Sequence, residues 1–160
     1  MIKKNQKLKY KYDTLADALS IYVVDGSRFE EAIELDSNIF LVIGEDNYPT
    51  ALEILDASKV LDVKKYSLKR INSIHLKMCI DNDKIIVECI FNFPIHSGEK
   101  IKSTNSTIIN DMNLPNIETE LAMVWIFSFF FLYSFPIYYV DLIVLYKNLI
   151  LFLLIHKSYP

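Results

Sequence analysis

Six carboxylates recur near the ends of apolar runs in the first 58 residues: Asp13, Asp17, Glu34, Asp36, Glu53 and Asp56. Carboxylates brought together can hold a divalent cation or act as a general acid and base. Asp13, Asp17 and Glu53 make the sharpest such set, and a small metal-dependent or hydrolytic enzyme is the alternative reading of the chain. Asp13, Asp36 and Asp56, however, each follow a strand-like run, where an Asx side chain accepts backbone N–H groups and shapes a turn. Turns and caps are therefore the preferred reading, and no catalytic residue is assigned. His75, His96 and His156 share no ligand spacing with Cys79 or Cys89, so no metal is expected. His75 and Cys79 supply at most one edge of a zinc site. As a nucleophile pair they lack a Gly-rich turn for an oxyanion. The only glycines are Gly26, Gly44 and Gly98, which leaves no phosphate loop. No cofactor is expected.

The elements that would position these residues read as short strands. Leu8, Tyr10 and Tyr12 alternate with lysines, a period of two that marks a half-buried strand. Thr14–Asp17 reads as one helical turn. Strands are expected at Leu19–Val24, Glu30–Leu35, Ile39–Ile43 and Thr50–Leu55, separated by turns at Asp25-Gly26, Asp36–Asn38 and Gly44–Asn47. Ser58 is the expected N-cap of a short helix reaching Tyr66. Ile74–Ile80 and Lys84–Phe91 form a hairpin with Asn82 and Asp83 at its centre. That register sets Lys77 opposite Glu88 and gathers Ile74, Leu76, Met78, Ile80, Ile85, Val87, Cys89 and Phe91 on one face. It also puts Cys79 and Cys89 on opposite faces, which excludes a disulfide. Pro94–Asn116 is polar and reads as loop or linker.

Charge and hydropathy divide the chain. Residues up to Glu120 hold 15 of the 17 basic and 19 of the 20 acidic side chains, a net charge of −4. That balance argues against nucleic-acid binding, which needs a positive face. The basic cluster Lys64, Lys65, Lys69 and Arg70 reads as a solvated face. Leu121–Val140 contains no charged residue, and is expected to be a helix inserted in a membrane. Its anchor residues would be Leu121, Trp125, Phe130 and Tyr139. A different reading makes the tail the product of an unintended A/T-rich frame, and the chain then a soluble cytoplasmic protein.

The segments "KYDTLADALSIYV", "EEAIELD" and "ALEILDASKVL" resemble the family called domain of unknown function 2283. The motif positions are Tyr12, Asp13, Asp17, Leu19, Glu34, Asp36, Glu53, Asp56 and Ser58. Ser20, Ala51 and Gly44 depart from the family's usual residues. The resemblance implies a small α+β fold and no known activity, and an antitoxin-like role is the sharpest function it suggests.

The expected architecture is α+β: a small, mostly antiparallel β-meander with one or two short helices, plus a hydrophobic C-terminal helical tail. Residues 1–7 form a lysine-rich arm. Residues 8–95 form the strand-rich domain, with a family-like core over 8–61 and a second hairpin over 74–91. Residues 96–120 are a polar linker and 121–160 the tail. The expected function is a non-enzymatic protein-interaction module that binds a protein partner or a second copy of itself. Its cytoplasmic domain would be tethered to a membrane by the tail.

Overall fold

The computed structural model describes residues 7–95 and 98–124. Nine strands and two four-residue helices occur among them. β1 (Leu8–Asp13), β2 (Ala18–Val23), β3 (Phe29–Asp36), β4 (Ile39–Gly44) and β5 (Pro49–Ile54) form an antiparallel sheet in the order β1-β2-β5-β4-β3. Helices α1 (Ala57–Val60) and α2 (Lys65–Leu68) lead to a second antiparallel sheet. Its strands are β6 (Ser73–Ile80), β7 (Lys84–Ile95), β8 (Gly98–Ile109) and β9 (Ile117–Val124), in the order β8-β7-β6-β9. Three hairpin-linked strands followed by a fourth that returns beside the first is a Greek key.

One hydrophobic cluster joins the two sheets. Leu19, Ile21, Leu41, Leu52 and Ile54 of the first and Ile74, Leu76, Ile85, Cys89 and Phe91 of the second belong to it. Leu61, Leu68 and Ile71 add the connecting segment. Neither sheet buries its apolar face alone, so each needs the other. The mostly antiparallel strands and two short helices match the expected architecture.

The second hairpin forms in the expected register. Lys77 lies opposite Glu88 and Ile80 opposite Ile85, and all eight residues of the expected apolar face are buried. Lys77 and Glu88 face one another without closing to ion-pair distance. Cys79 and Cys89 are both free.

Five expectations are corrected. The polar linker is largely strand: β8 pairs with β7 along its whole length, from Gly98 to Ile109. Its inward residues are Lys100, Lys102, Thr104, Ser106 and Ile108, so an edge strand at the rim of the core carries no apolar alternation to read. The helical span does not begin at Leu121. That residue is buried in β9 opposite Leu76, where alternation of Ile117, Leu121 and Met123 turns apolar side chains inward. Trp125, Phe130 and Tyr139 lie outside the described residues. Among the described residues no helix is long and apolar enough to cross a membrane. The single helix from Ser58 to Tyr66 is two separate turns, broken by Asp62 at φ 47°. Finally, Ser58 is not an N-cap; Asp56 holds that position at φ 48° with no side-chain cap bond. Thr14–Asp17 is a turn without helix.

Asp and Asn supply every positive φ among the described non-glycine residues: Asp17, Asp25, Asn38, Asn47, Asp56, Asp62 and Asn113. Their short polar side chains tolerate the left-handed region better than other residues. Where the chain has few glycines, Asx residues make its turns.

Candidate functional site

The motif residues converge on Asp17. This carboxylate is only 5% exposed, and a lone charge in such a place is costly unless it is hydrogen-bonded. Its partners come from three segments. Tyr12, in β1, donates its hydroxyl to Asp17 Oδ1 at 2.7 Å. The Ser58 backbone N–H donates to the same oxygen at 3.2 Å, and Ser58 Oγ donates to Oδ2 at 2.6 Å. Lys65 Nζ, in α2, lies 3.7 Å from Oδ2. The Asp17 main-chain oxygen also accepts the Ala57 N–H at 2.8 Å. The β1–β2 turn is thereby latched to the start of α1.

Local sequence explains the geometry. Asp13 Oδ1 accepts the N–H groups of Leu15 and Ala16 at 2.9 and 3.1 Å, which folds the turn. Asp17 closes that turn at φ 54°. Alternation along β1 puts Tyr10 and Tyr12 on the core side with Leu8. The Tyr10 hydroxyl accepts the Ile71 N–H at 3.1 Å and donates to the Lys69 main-chain oxygen at 3.2 Å. Two tyrosines of one strand thus hold both ends of the helical connection.

The electrostatics follow the contacts. Burial alone pushes the Asp17 carboxyl up, but the bonds from Ser58 and Tyr12 and the charge of Lys65 outweigh it. The group is held below the ordinary carboxylate range. Burial and the adjacent Asp17 carboxylate push the Tyr12 phenol up. Backbone N–H groups of Ala16 and Leu15 hold Asp13 down.

The remaining motif positions do not join the cluster. Leu19 is fully buried core. Glu53 is exposed on β5, on the solvent face between Ser20 and Phe40. Glu34 faces solvent beside Phe40. Asp36 accepts the Ser37 N–H at 2.7 Å, as a turn residue should, and Asp56 pairs with Lys59 at 3.1 Å. Asp13, Asp17 and Glu53 therefore occupy three different environments. No group of three His, Cys, Asp or Glu placed to hold a metal exists among the described residues. His75 Nε2 is 2.7 Å from Glu120 Oε1 on the outer face of the second sheet.

A second polar centre has no counterpart among the sequence expectations. Asn110 is buried. Its Nδ2 donates to the main-chain oxygens of Asp81 and Leu114 at 2.7 and 3.0 Å, and its Oδ1 accepts the Leu114 N–H at 2.9 Å. It ties the crossover before β9 to the β6–β7 turn. A lone Asn in a polar stretch gives no sequence signal of such a role.

The fold and latch define a two-sheet antiparallel sandwich whose motif carboxylate serves the fold. Residues 9–58 match the family described as "Protein of unknown function (DUF2283)". The match takes in the first sheet and ends on Ser58, the last hydrogen-bonding residue of the latch before α2. A Methanosarcina mazei protein named "Putative hypoxanthine phosphoribosyltransferase" is 29% identical over 109 residues, 67% of this chain and 85% of that protein. That alignment is too long to lie within the family match, so the likeness continues past the first sheet. No solved structure matches the chain.

Proposed function

We propose that the chain is a non-enzymatic module that binds a protein partner. The observation that carries this reading is the state of Asp17. Both its oxygens already accept hydrogen bonds from Tyr12 and Ser58, and Lys65 lies beside them, so the buried carboxylate is engaged by its own chain. The solvent face of the first sheet is better suited to recognition. One row across it reads Lys9, Tyr22, Ala51, Val42, Ala32, and the next Lys11, Ser20, Glu53, Phe40, Glu34. Tyr22 and Phe40 stand in that face between Lys9 and Lys11 on one edge and Glu53 and Glu34 towards the other, an arrangement that suits a partner of complementary charge. An antitoxin-like role is the sharpest form of this reading.

The name of the Methanosarcina mazei relative points to phosphoribosyl transfer. A sugar diphosphate is ordinarily cradled by backbone N–H groups of a loop and by a carboxylate-bound cation. Gly26 and Gly44 approach Thr50 from two different connections, Gly98 opens β8, and the motif acids are dispersed, so that activity is not part of the proposal. A membrane tether is the finer version of where the module works. With β9 taking 121–124, the uncharged run left is 125–140, shorter than the about 20 residues of a helical span. Any span would have to continue past Asp141. Carbonate extraction of membranes from cells making the full chain tests it, and complete release into the soluble fraction removes it.

The partner is tested by co-purifying tagged full-length chain from its native cells. A stoichiometric protein should appear with the wild type and be lost with Ala51→Arg, a change confined to the sheet's solvent face. If nothing accompanies the wild type, the reading loses its support.

A further inference from the structure

The helical connection that the latch fixes also walls a groove of about 560 Å³ between α2 and the far end of β7. That volume falls in the range of small-molecule sites, roughly 300–1,000 Å³. The lining contains three cations, Lys64, Arg70 and Lys100, and no carboxylate. This runs against the chain as a whole, whose net charge is −3. Clefts lined by one sign of charge over apolar walls focus the field on a ligand of the other sign.

The cations are placed by the fold. The Arg70 guanidinium carbon sits 5.4 Å from the centre of the Tyr66 ring, which steadies a long side chain without neutralising it. Lys100 Nζ donates to the Asp62 main-chain oxygen at 2.7 Å and is ion-paired with the Asp62 carboxylate at 3.4 Å. Neither Lys64 nor Arg70 has a carboxylate within ion-pair distance among the described residues. Val63, Phe93, Pro94 and Ile95 supply the apolar part. Phe93 is fully buried and stacks on Phe91 with centroids 5.9 Å apart, so the floor is firm.

We infer that this groove binds a small organic phosphate, a phosphomonoester on a flat apolar body. The two unpaired cations Lys64 and Arg70, with Lys100 shared with Asp62, suit a dianion better than a single carboxylate, and the Arg70 fork can grip two phosphate oxygens at once. Tyr66 and Pro94 offer ring surfaces to the body. The inference is independent of the protein-partner reading, and either stands without the other.

The test is calorimetric titration of the full-length chain with adenosine 5′-monophosphate, with adenosine and inorganic phosphate as separate arms. The nucleotide should bind saturably, and each half alone at least about tenfold more weakly. Arg70→Gln should weaken nucleotide binding by about tenfold or more, the value of a charge-assisted contact. Lys69→Gln, next to Arg70 but outside the groove lining, should leave it unchanged. Matching melting curves for both variants would establish that they fold. Absence of saturable nucleotide binding at millimolar concentration overturns the inference, and so does equal binding by Arg70→Gln. Binding to anionic phospholipid vesicles without binding to the nucleotide also overturns it, since the cations would then be a membrane-facing patch.

Discussion

A carboxylate in a family motif invites a chemical role, yet Asp17 is surrounded by donors from its own chain. Removing it leaves the half-buried Tyr12 hydroxyl and Ser58 N–H without their acceptor. Asp17→Ala should therefore cost about 3 kcal/mol of stability. It also puts a Cβ-bearing apolar residue at φ 54°, where alanine is unfavourable by about 1 kcal/mol or more. Asp17→Asn keeps the left-handed backbone and isolates the loss of charge and acceptors, so it should cost less, about 1–3 kcal/mol. Urea unfolding followed by circular dichroism measures both. The sign with pH follows from the lowered folded-state pKa of Asp17. Its stabilisation is present above the ordinary carboxylate pKa and is lost as pH falls through the folded value. Wild type should lose stability at acid pH more steeply than Asp17→Asn; parallel curves would contradict this. The thiols differ in the same residue-level way. Cys89 is fully buried and burial pushes its pKa up, whereas Cys79 is half-buried on the outer face. A thiol reagent should label Cys79 in the native protein and spare Cys89.

At the scale of elements, Asn110 and Gly44 are the points where a connection depends on one residue. Asn110→Ala leaves three main-chain groups without partners and should cost about 2–3 kcal/mol, read as a lowered urea midpoint. A Cβ on Gly44 would collide with Ser27 Oγ and approach Thr50 Cγ2 to 2.9 Å. Gly44→Ala should therefore lower the melting temperature, and an unchanged one would show that the β4–β5 turn relaxes freely. Legibility in the sequence followed how strongly each element was patterned. The β6–β7 hairpin could be read to the residue because its two-residue turn and wholly apolar face admit one register. β8 could not, because its inward positions are lysine, threonine and serine at the rim of the core. β9 was masked by the apolar run behind it, although Ile117, Leu121 and Met123 alternate. The latch was half legible. Tyr12, Asp17 and Ser58 stood out as motif positions, but nothing in their spacing says that residues 41 apart share hydrogen bonds.

At the scale of the whole molecule, the motif is a structural latch on a sandwich with one shared core. The latch ties the first sheet to α1 and α2, while Cys89 lies fully buried in the second sheet. If one core holds both sheets, weakening the latch must expose Cys89, although no latch residue lies in the second sheet. The measurement is the rate of Cys89 labelling against urea concentration in full-length chain carrying Cys79→Ser, with and without Asp17→Asn. Asp17→Asn should move Cys89 exposure to lower urea by the same free energy as it moves the circular-dichroism transition. A Cys89 curve that stays in place while Asp17→Asn is introduced would contradict it.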